Sequence, residues 1–283
     1  MAVIPFQRFF RKPAKHMQAI LRWKRLSFND VPPIFGNSKP KSGSHLLLQV
    51  LGGICRIAPY EYVEAEPIRT ITREGRRKKK EEIFNELRQI PRGVIGWGYV
   101  EASPENVAFL CQPGRVNYFI YRDPRDLLVS QVFFATDMHE EHGMHAFYKS
   151  LPDFDERLKV AITGIDRDGL YMTSVKQRYE GVFRWLEQPH VMSIRFEDLI
   201  NNRGTTLNAM LDEVEKTGYK IPVPREKAVA VLVEAIKPKK SHTFRSGKTG
   251  GWREHFTEEH KKLFKDVAAD LVVRLGHEKD NDW

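Results

Sequence analysis

Two cysteines in 283 residues, Cys55 and Cys111, leave no room for a disulfide framework, and their spacing suits neither a metal nor a redox pair. A reducing cytoplasm is the expected location. Apolar runs all fall well short of the roughly 18 residues that would span a bilayer, so no transmembrane segment is expected. Acidic side chains are nearly missing from residues 1–30, which hold seven Lys or Arg against Asp30 alone and so carry about +6 of the net charge of +9. The remaining chain is close to balanced, which argues against a broad nucleic-acid surface. A Walker A loop is absent too. Gly36 and Gly43 stand seven apart, and no Lys-Ser/Thr follows the second glycine. His139, His142 and His145 do not form an HExxH motif and Gly143 weakens any helix through them, so a surface segment without metal is expected.

What is present is material for one large α/β domain or two small ones, with 41% hydrophobic residues to build a core. Ile34 and Phe35 begin a strand that leads through Gly36 and Asn37 into a polar loop, 38–44, and then into an apolar segment read as a helix. A helix starting near Ser44 aims its unbonded N–H groups and positive dipole end back into that loop, which makes an anion site. Residues 116–121, VNYFIY, read as a second buried strand, followed by Asp123 as helix cap and Pro124 in the first turn. Arg122 then stands at a strand's carboxyl end, where open parallel sheets bind ligands, and Ser130 lies on the helix beyond. Two anion sites at strand ends favour a ligand with two separated phosphates. A third cluster, TFRSGKTGGWR over 243–253, makes a glycine-rich basic loop able to close over such a ligand.

Elsewhere, helices are expected over 153–164, 170–187, 204–217 and 225–236, a strand over 191–196, and one last helix from Thr257 to Gly276. The run REGRRKKKEE, 73–82, reads as a solvated face or as the rim of an anionic pocket. The basic, aromatic segment 1–30 reads as an extension that packs as an extra helix, lies on an anionic membrane or serves as a targeting segment.

These clusters together resemble those of sulfotransferases that use 3′-phosphoadenosine 5′-phosphosulfate (PAPS), of the cytosolic type and its bacterial members. PKSGSH (40–45) resembles the 5′-phosphosulfate loop, RDPRDLLVS (122–130) the 3′-phosphate motif, and FRSGKTGGW (244–252) the C-terminal nucleotide loop. The resemblance covers 31–283 and implies a sulfotransferase domain there: a single α/β domain with a central, mainly parallel sheet flanked by helices, related to P-loop nucleotide kinases. It also implies PAPS as donor, the bisphosphate PAP as product and a small-molecule acceptor, with secondary metabolism as one setting and a homodimer as one assembly. By the same resemblance Lys41 is catalytic, holding the 5′-phosphosulfate and supplying charge and a proton as the S–O bond breaks. Ser42, Gly43, Ser44 and His45 join it at that phosphate. Arg122 and Ser130 grip the 3′-phosphate with Phe244, Arg245, Ser246 and Gly247 of the C-terminal loop, and Phe196 stands near adenine.

The chain also departs from that pattern. Ser246 and Gly251 stand where a lysine and an aspartate are usual, and the family's catalytic histidine falls near 95–99, where the closest match is Trp97. Trp97, Tyr99 and Asp137 are expected around the acceptor. Either His45, Asp137, His139 or Glu101 replaces the missing base, or the acceptor ionises easily, or the chain binds nucleotide without catalysing. A P-loop-type kinase is a more distant alternative.

Overall fold

The computed structural model describes all residues except 1–12, 63–65, 73–75, 168, 238–246 and 248. In chain order the strands are β1 (Ile34–Ser38), β2 (Glu61–Tyr62), β3 (Ile68–Arg69), β4 (Val94–Tyr99), β5 (Val116–Tyr121), β6 (Ile165–Arg167), β7 (Leu170–Met172) and β8 (Met192–Arg195). The longer helices are α1 (Pro13–Trp23), α2 (Ser44–Ile57), α3 (Lys80–Arg88), α4 (Pro104–Leu110), α5 (Pro124–Phe133) and, after the short α6 (His145–Ser150), α7 (Phe154–Thr163). Next come α8 (Val175–Leu186), α9 (Phe196–Asn201), α10 (Arg203–Glu215), α11 (Arg225–Ala235), α12 (Glu258–Ala268) and α13 (Leu271–Arg274). Contacts group these into two compact units, Met1–Tyr121 with Trp185–Lys237, and Arg122–Arg184 with Pro238–Trp283.

The first unit holds a parallel sheet in the order β2-β4-β1-β5-β8 with β3 also on β4; β1, β5 and β8 are the expected strands, while β2, β3 and β4 were not expected from the sequence. Every residue of β1 and β5 is buried, as strands covered on both faces must be. Ile34, Ile95, Val116, Tyr118, Ile120 and Ile194 of the sheet share one core with Leu47, Val50, Leu51 and Ile54 of α2 and with Leu232 of α11. The N-terminal helix α1 packs onto the same core through Ala19, Ile20 and Trp23, while Met17 and Leu21 stay exposed. That matches the packed-helix reading of this segment; Phe6, Phe9 and Phe10 lie outside the described residues. Register places Ser38 beside Ile120, and Asn37 beside Gly98, so the carboxyl ends of β1, β4 and β5 lie along one edge.

The second unit is mainly helical, with an antiparallel β6–β7 hairpin. Two expected helices differ here. The one expected over 170–187 begins only at Val175, because Gly169 at φ 75° turns the chain and Leu170–Met172 pair with β6. The last helix is interrupted: Ala269 adopts φ 47°, a conformation that ends α12 and starts the short α13. The histidine segment follows a single π turn, residues 134–138. His139 and His142 pack against Phe134, and His145 bonds the Ala135 carbonyl oxygen at 2.8 Å.

The basic run 76–80 is laced into acidic partners within the first unit. Arg76 makes a two-pronged pair with Glu82 (2.9 and 3.0 Å), Arg77 one with Glu101 (2.7 and 3.1 Å), Lys78 meets Glu86 at 2.6 Å, and Lys80 pairs with Glu105. Those pairings fit the solvated-face reading. No helix among the described residues is long and apolar enough to cross a membrane, and the two cysteines carry no disulfide.

Candidate active site

In the first unit the phosphate-type loop, residues 39–43, leaves β1 and enters α2. Two left-handed residues shape it: Lys41 at φ 68° and Gly43, the helix cap, at φ 99°. Lysine disfavours that region, so the fold holds Lys41 against its own preference, a form of strain that clusters at functional sites. Gly43 has a second constraint. A Cβ there would lie 2.5 Å from Phe196 Cδ2, so glycine alone lets the loop sit on that ring. The Ser42 amide donates to the Lys39 carbonyl oxygen at 3.2 Å, and the Gly43 carbonyl accepts from Leu46 and Leu47, which fixes the first turn of α2. The first amides of that turn keep no intrahelical acceptor, and they meet the dipole's positive end. This donor set suits a phosphate or sulfate group.

Ser42 and Ser44 are buried, while His45 is exposed on the first turn of α2. Ser44 Oγ stands 3.1 Å from Tyr99 Oη at the end of β4. Trp97, two residues earlier on the same strand, sets its ring edge-on to Tyr99 at 5.7 Å. Asn37 braces this strand end: its Nδ2 donates to the Val100 carbonyl and its Oδ1 accepts from the Val100 amide, both at 2.9 Å. Trp185 Nε1 adds a bond to the same carbonyl at 3.0 Å. Phe196 is the buried ring beneath Gly43 at the start of α9.

In the second unit Arg122 directly follows β5, and its carbonyl accepts from Tyr179 Oη at 2.8 Å. Its guanidinium is 3.8 Å from Asp126 Oδ2, one turn along α5. Asp126 also accepts from the Gly250 and Trp252 amides at 2.8 and 2.9 Å. One buried carboxylate thus ties the arginine to the start of the segment that follows Gly247. Burial pushes the Asp126 carboxyl up from its ordinary range, with Arg122 opposing. Ser130 sits half-buried on α5, and Gly247 adopts φ 63°. Phe244, Arg245 and Ser246 lie outside the described residues.

Beside this, Arg125 is fully buried against the rings of Trp252 and Trp283, its guanidinium 3.9 and 4.4 Å from their centres, and pairs with Asp123 at 2.7 Å and Glu278 at 2.6 Å. Asp123 also caps α5 by accepting from the Arg125 amide at 2.9 Å. Burial alone would raise the Asp123 carboxyl, but Arg125 more than offsets this and holds it below the usual range.

The remaining candidate residues divide similarly. Asp137 is half exposed, 3.5 Å from Lys149, and lines a cavity of about 470 Å³ with Phe133, Phe154 and His255. Glu101, one of the substitutes considered for the base, has its carboxylate engaged by Arg77. Sequence reasoning missed Asn37, Asp126 and the Ser44–Tyr99 pair. Two left a signal: a lone amide at the end of an apolar strand, and an aspartate in the first turn of the helix that follows Arg122. The Ser44–Tyr99 pair joins residues 55 positions apart and leaves none.

A family model described as a sulfotransferase domain matches residues 118–276, over half of the chain. Among solved structures, a mouse sulfotransferase, SULT7A1, complexed with PAP is similar with a TM-score of 0.58 at 18% identity, covering 87% of this chain and 88% of that one. Retinol dehydratase in complex with androsterone and PAP is similar with a TM-score of 0.58 at 14% identity, over 92% and 85%. At these identities the likeness speaks for the fold alone. No curated protein sequence matches the chain.

Proposed function

Because this chain belongs to the sulfotransferase family, we propose that it moves a sulfuryl group from PAPS to a hydroxyl or amine of a small molecule and releases PAP. The observation that carries this reading is the 39–43 loop, whose left-handed Lys41 and Gly43 lead into the amino end of α2. It is supported further by Arg122 and the loop-binding Asp126 directly after β5, and by solved structures of like fold that hold PAP.

In this reading Lys41 and the α2 amides receive the 5′-phosphosulfate, with Ser42, Ser44 and His45 beside them. Arg122, Ser130 and the loop containing Phe244, Arg245, Ser246 and Gly247 take the 3′-phosphate, and Phe196 sets the floor of the 5′ loop near adenine. Sulfuryl transfer puts growing negative charge on the leaving phosphate, so cations fixed there stabilise the transition state more than the ground state. Lysine and helix dipole supply that charge. Trp97, Tyr99 and Asp137 would meet the acceptor, and tailoring of secondary metabolites in the cytoplasm is the setting we favour. A domain boundary near residue 31 and a homodimer belong to the same proposal.

One observation favours a second reading, a PAP-binding chain with impaired catalysis: Trp97 stands where the family's histidine is expected, half-buried and edge-on to Tyr99. Titration calorimetry with PAP and ATP, followed by labelled-sulfate transfer from PAPS across a panel of alcohols, phenols and amines, separates the readings. PAP binding with transfer is the expected result, and PAP binding without transfer to any acceptor selects the second reading. Tighter binding of ATP than PAP would point to a kinase instead. Lys41→Ala should abolish transfer without unfolding the chain; normal turnover in that variant would overturn the role given to Lys41.

A further inference from the structure

With a tryptophan at the histidine position, some other group must take the acceptor's proton, and the first unit offers a connected pair. Ser44 Oγ and Tyr99 Oη are 3.1 Å apart, within hydrogen-bonding reach. Ser44 is the first residue of α2, in the turn that faces the phosphate loop. Tyr99 is the last residue of β4, and the backbone on both sides of it is fixed. Its carbonyl accepts from the Thr70 amide (3.2 Å), Val100 is bracketed by Asn37, and the Glu101 amide donates to Thr70 Oγ1 at 2.9 Å. Preceding it, Gly98 admits no side chain, since a Cβ there would lie 2.2 Å from the Ile68 carbonyl oxygen. The Arg69 guanidinium lies 4.8 Å from the centre of the Tyr99 ring, a cation–π contact that helps hold the ring in place.

We propose that Tyr99 and Ser44 form a proton relay that replaces the histidine, an inference that rests on the sulfotransferase reading above. Each hydroxyl is both donor and acceptor, so each can gain one proton and lose another in the same event. As the acceptor oxygen bonds to sulfur and the S–O bond to the leaving phosphate breaks, the acceptor's proton passes to Tyr99 Oη. Tyr99 gives its own proton to Ser44 Oγ, and Ser44 gives its proton to an oxygen of the released 5′-phosphate. Three protons each move one place, both side chains end as they began, and no phenolate or imidazolium has to exist beforehand. Such a relay matters most for an aliphatic alcohol and least for a phenol that ionises by itself.

The test compares wild type, Tyr99→Phe and Ser44→Ala with labelled PAPS, using aliphatic alcohols and p-nitrophenol as acceptors and PAP calorimetry as the binding readout. Tyr99→Phe should keep PAP affinity within about twofold and lose about 10²-fold or more in transfer to alcohols, the usual size of general acid–base catalysis. Transfer to p-nitrophenol should fall far less. Adding Ser44→Ala to Tyr99→Phe should cost no further transfer to alcohols once saturating PAPS compensates any loss of affinity, because both act in one chain. An equal loss with both acceptor classes would mean a structural role and overturn the relay, as would an unchanged rate with alcohols. Wild type that binds PAP yet sulfates neither acceptor also overturns it. Wild type that fails to bind PAP overturns the family-based reading itself.

Discussion

Gly43 and Gly98 show how single atoms decide the geometry of this site. At Gly43 a methyl group would both demand a left-handed alanine and run into Phe196 at 2.5 Å. Gly43→Ala should therefore displace the loop and weaken PAP binding by about tenfold or more, a loss of roughly 1.4 kcal/mol, measured by calorimetry on a chain whose circular dichroism is unchanged. At Gly98 the obstacle is backbone, the Ile68 carbonyl at 2.2 Å, so nothing flexible can yield. Gly98→Ala should cost about 2–3 kcal/mol of unfolding free energy by overpacking, read from denaturant midpoints. Asp123 carries a pH signature. Its folded carboxyl titrates below the ordinary 3.8 because of Arg125, so its stabilisation is complete above the unfolded value and lost as pH falls through the lower folded one. Asp123→Asn leaves Arg125 buried with one partner fewer and should destabilise by about 3–5 kcal/mol at pH 7. The gap to wild type should narrow as thermal unfolding is followed from pH 5 down to about 2; a gap constant over that range would refute the pairing's role.

At the scale of elements, both proposed phosphate grips begin where a strand becomes a helix, and this much of the local structure was legible in the sequence. Ile34 and Phe35 before a polar loop, and VNYFIY before Asp123-Pro124, announced strand, turn and helix because apolar continuity and capping chemistry are local properties. The hairpin at Leu170–Met172 was not legible, since three residues carry too short a period to separate strand from helix. The interruption at Ala269 was hidden as well, because alanine gives no warning of a left-handed turn. Contacts that assemble the site across distance, Asp126 with Gly250 and Trp252 above all, depend on tertiary packing that no local pattern encodes. That tie is testable. Asp126→Asn keeps one acceptor oxygen but replaces the other with a donor facing an amide, so the segment after Gly247 should loosen and PAP affinity should fall several-fold, with wild-type affinity counting against the tie.

For the whole molecule, α1 is bound into the core through Ala19, Ile20 and Trp23, and Phe28 behind it is 1% exposed. A chain shortened to residues 31–283 should therefore unfold at lower denaturant than the full chain, even though the family resemblance begins only there. Ligand binding offers the complementary effect: PAP at about 100 times its Kd should add about 2.7 kcal/mol to unfolding free energy. The central proposal is that the chain recognises the two phosphates of one nucleotide separately, the 3′-phosphate through Arg122, and comparing PAP with adenosine 5′-monophosphate by calorimetry tests it most directly. Wild type should bind PAP at least tenfold more tightly, and Arg122→Ala should bring the two affinities close together by losing the 3′-phosphate contact alone. Equal affinities in wild type, or a preference for PAP that survives Arg122→Ala undiminished, would contradict the account.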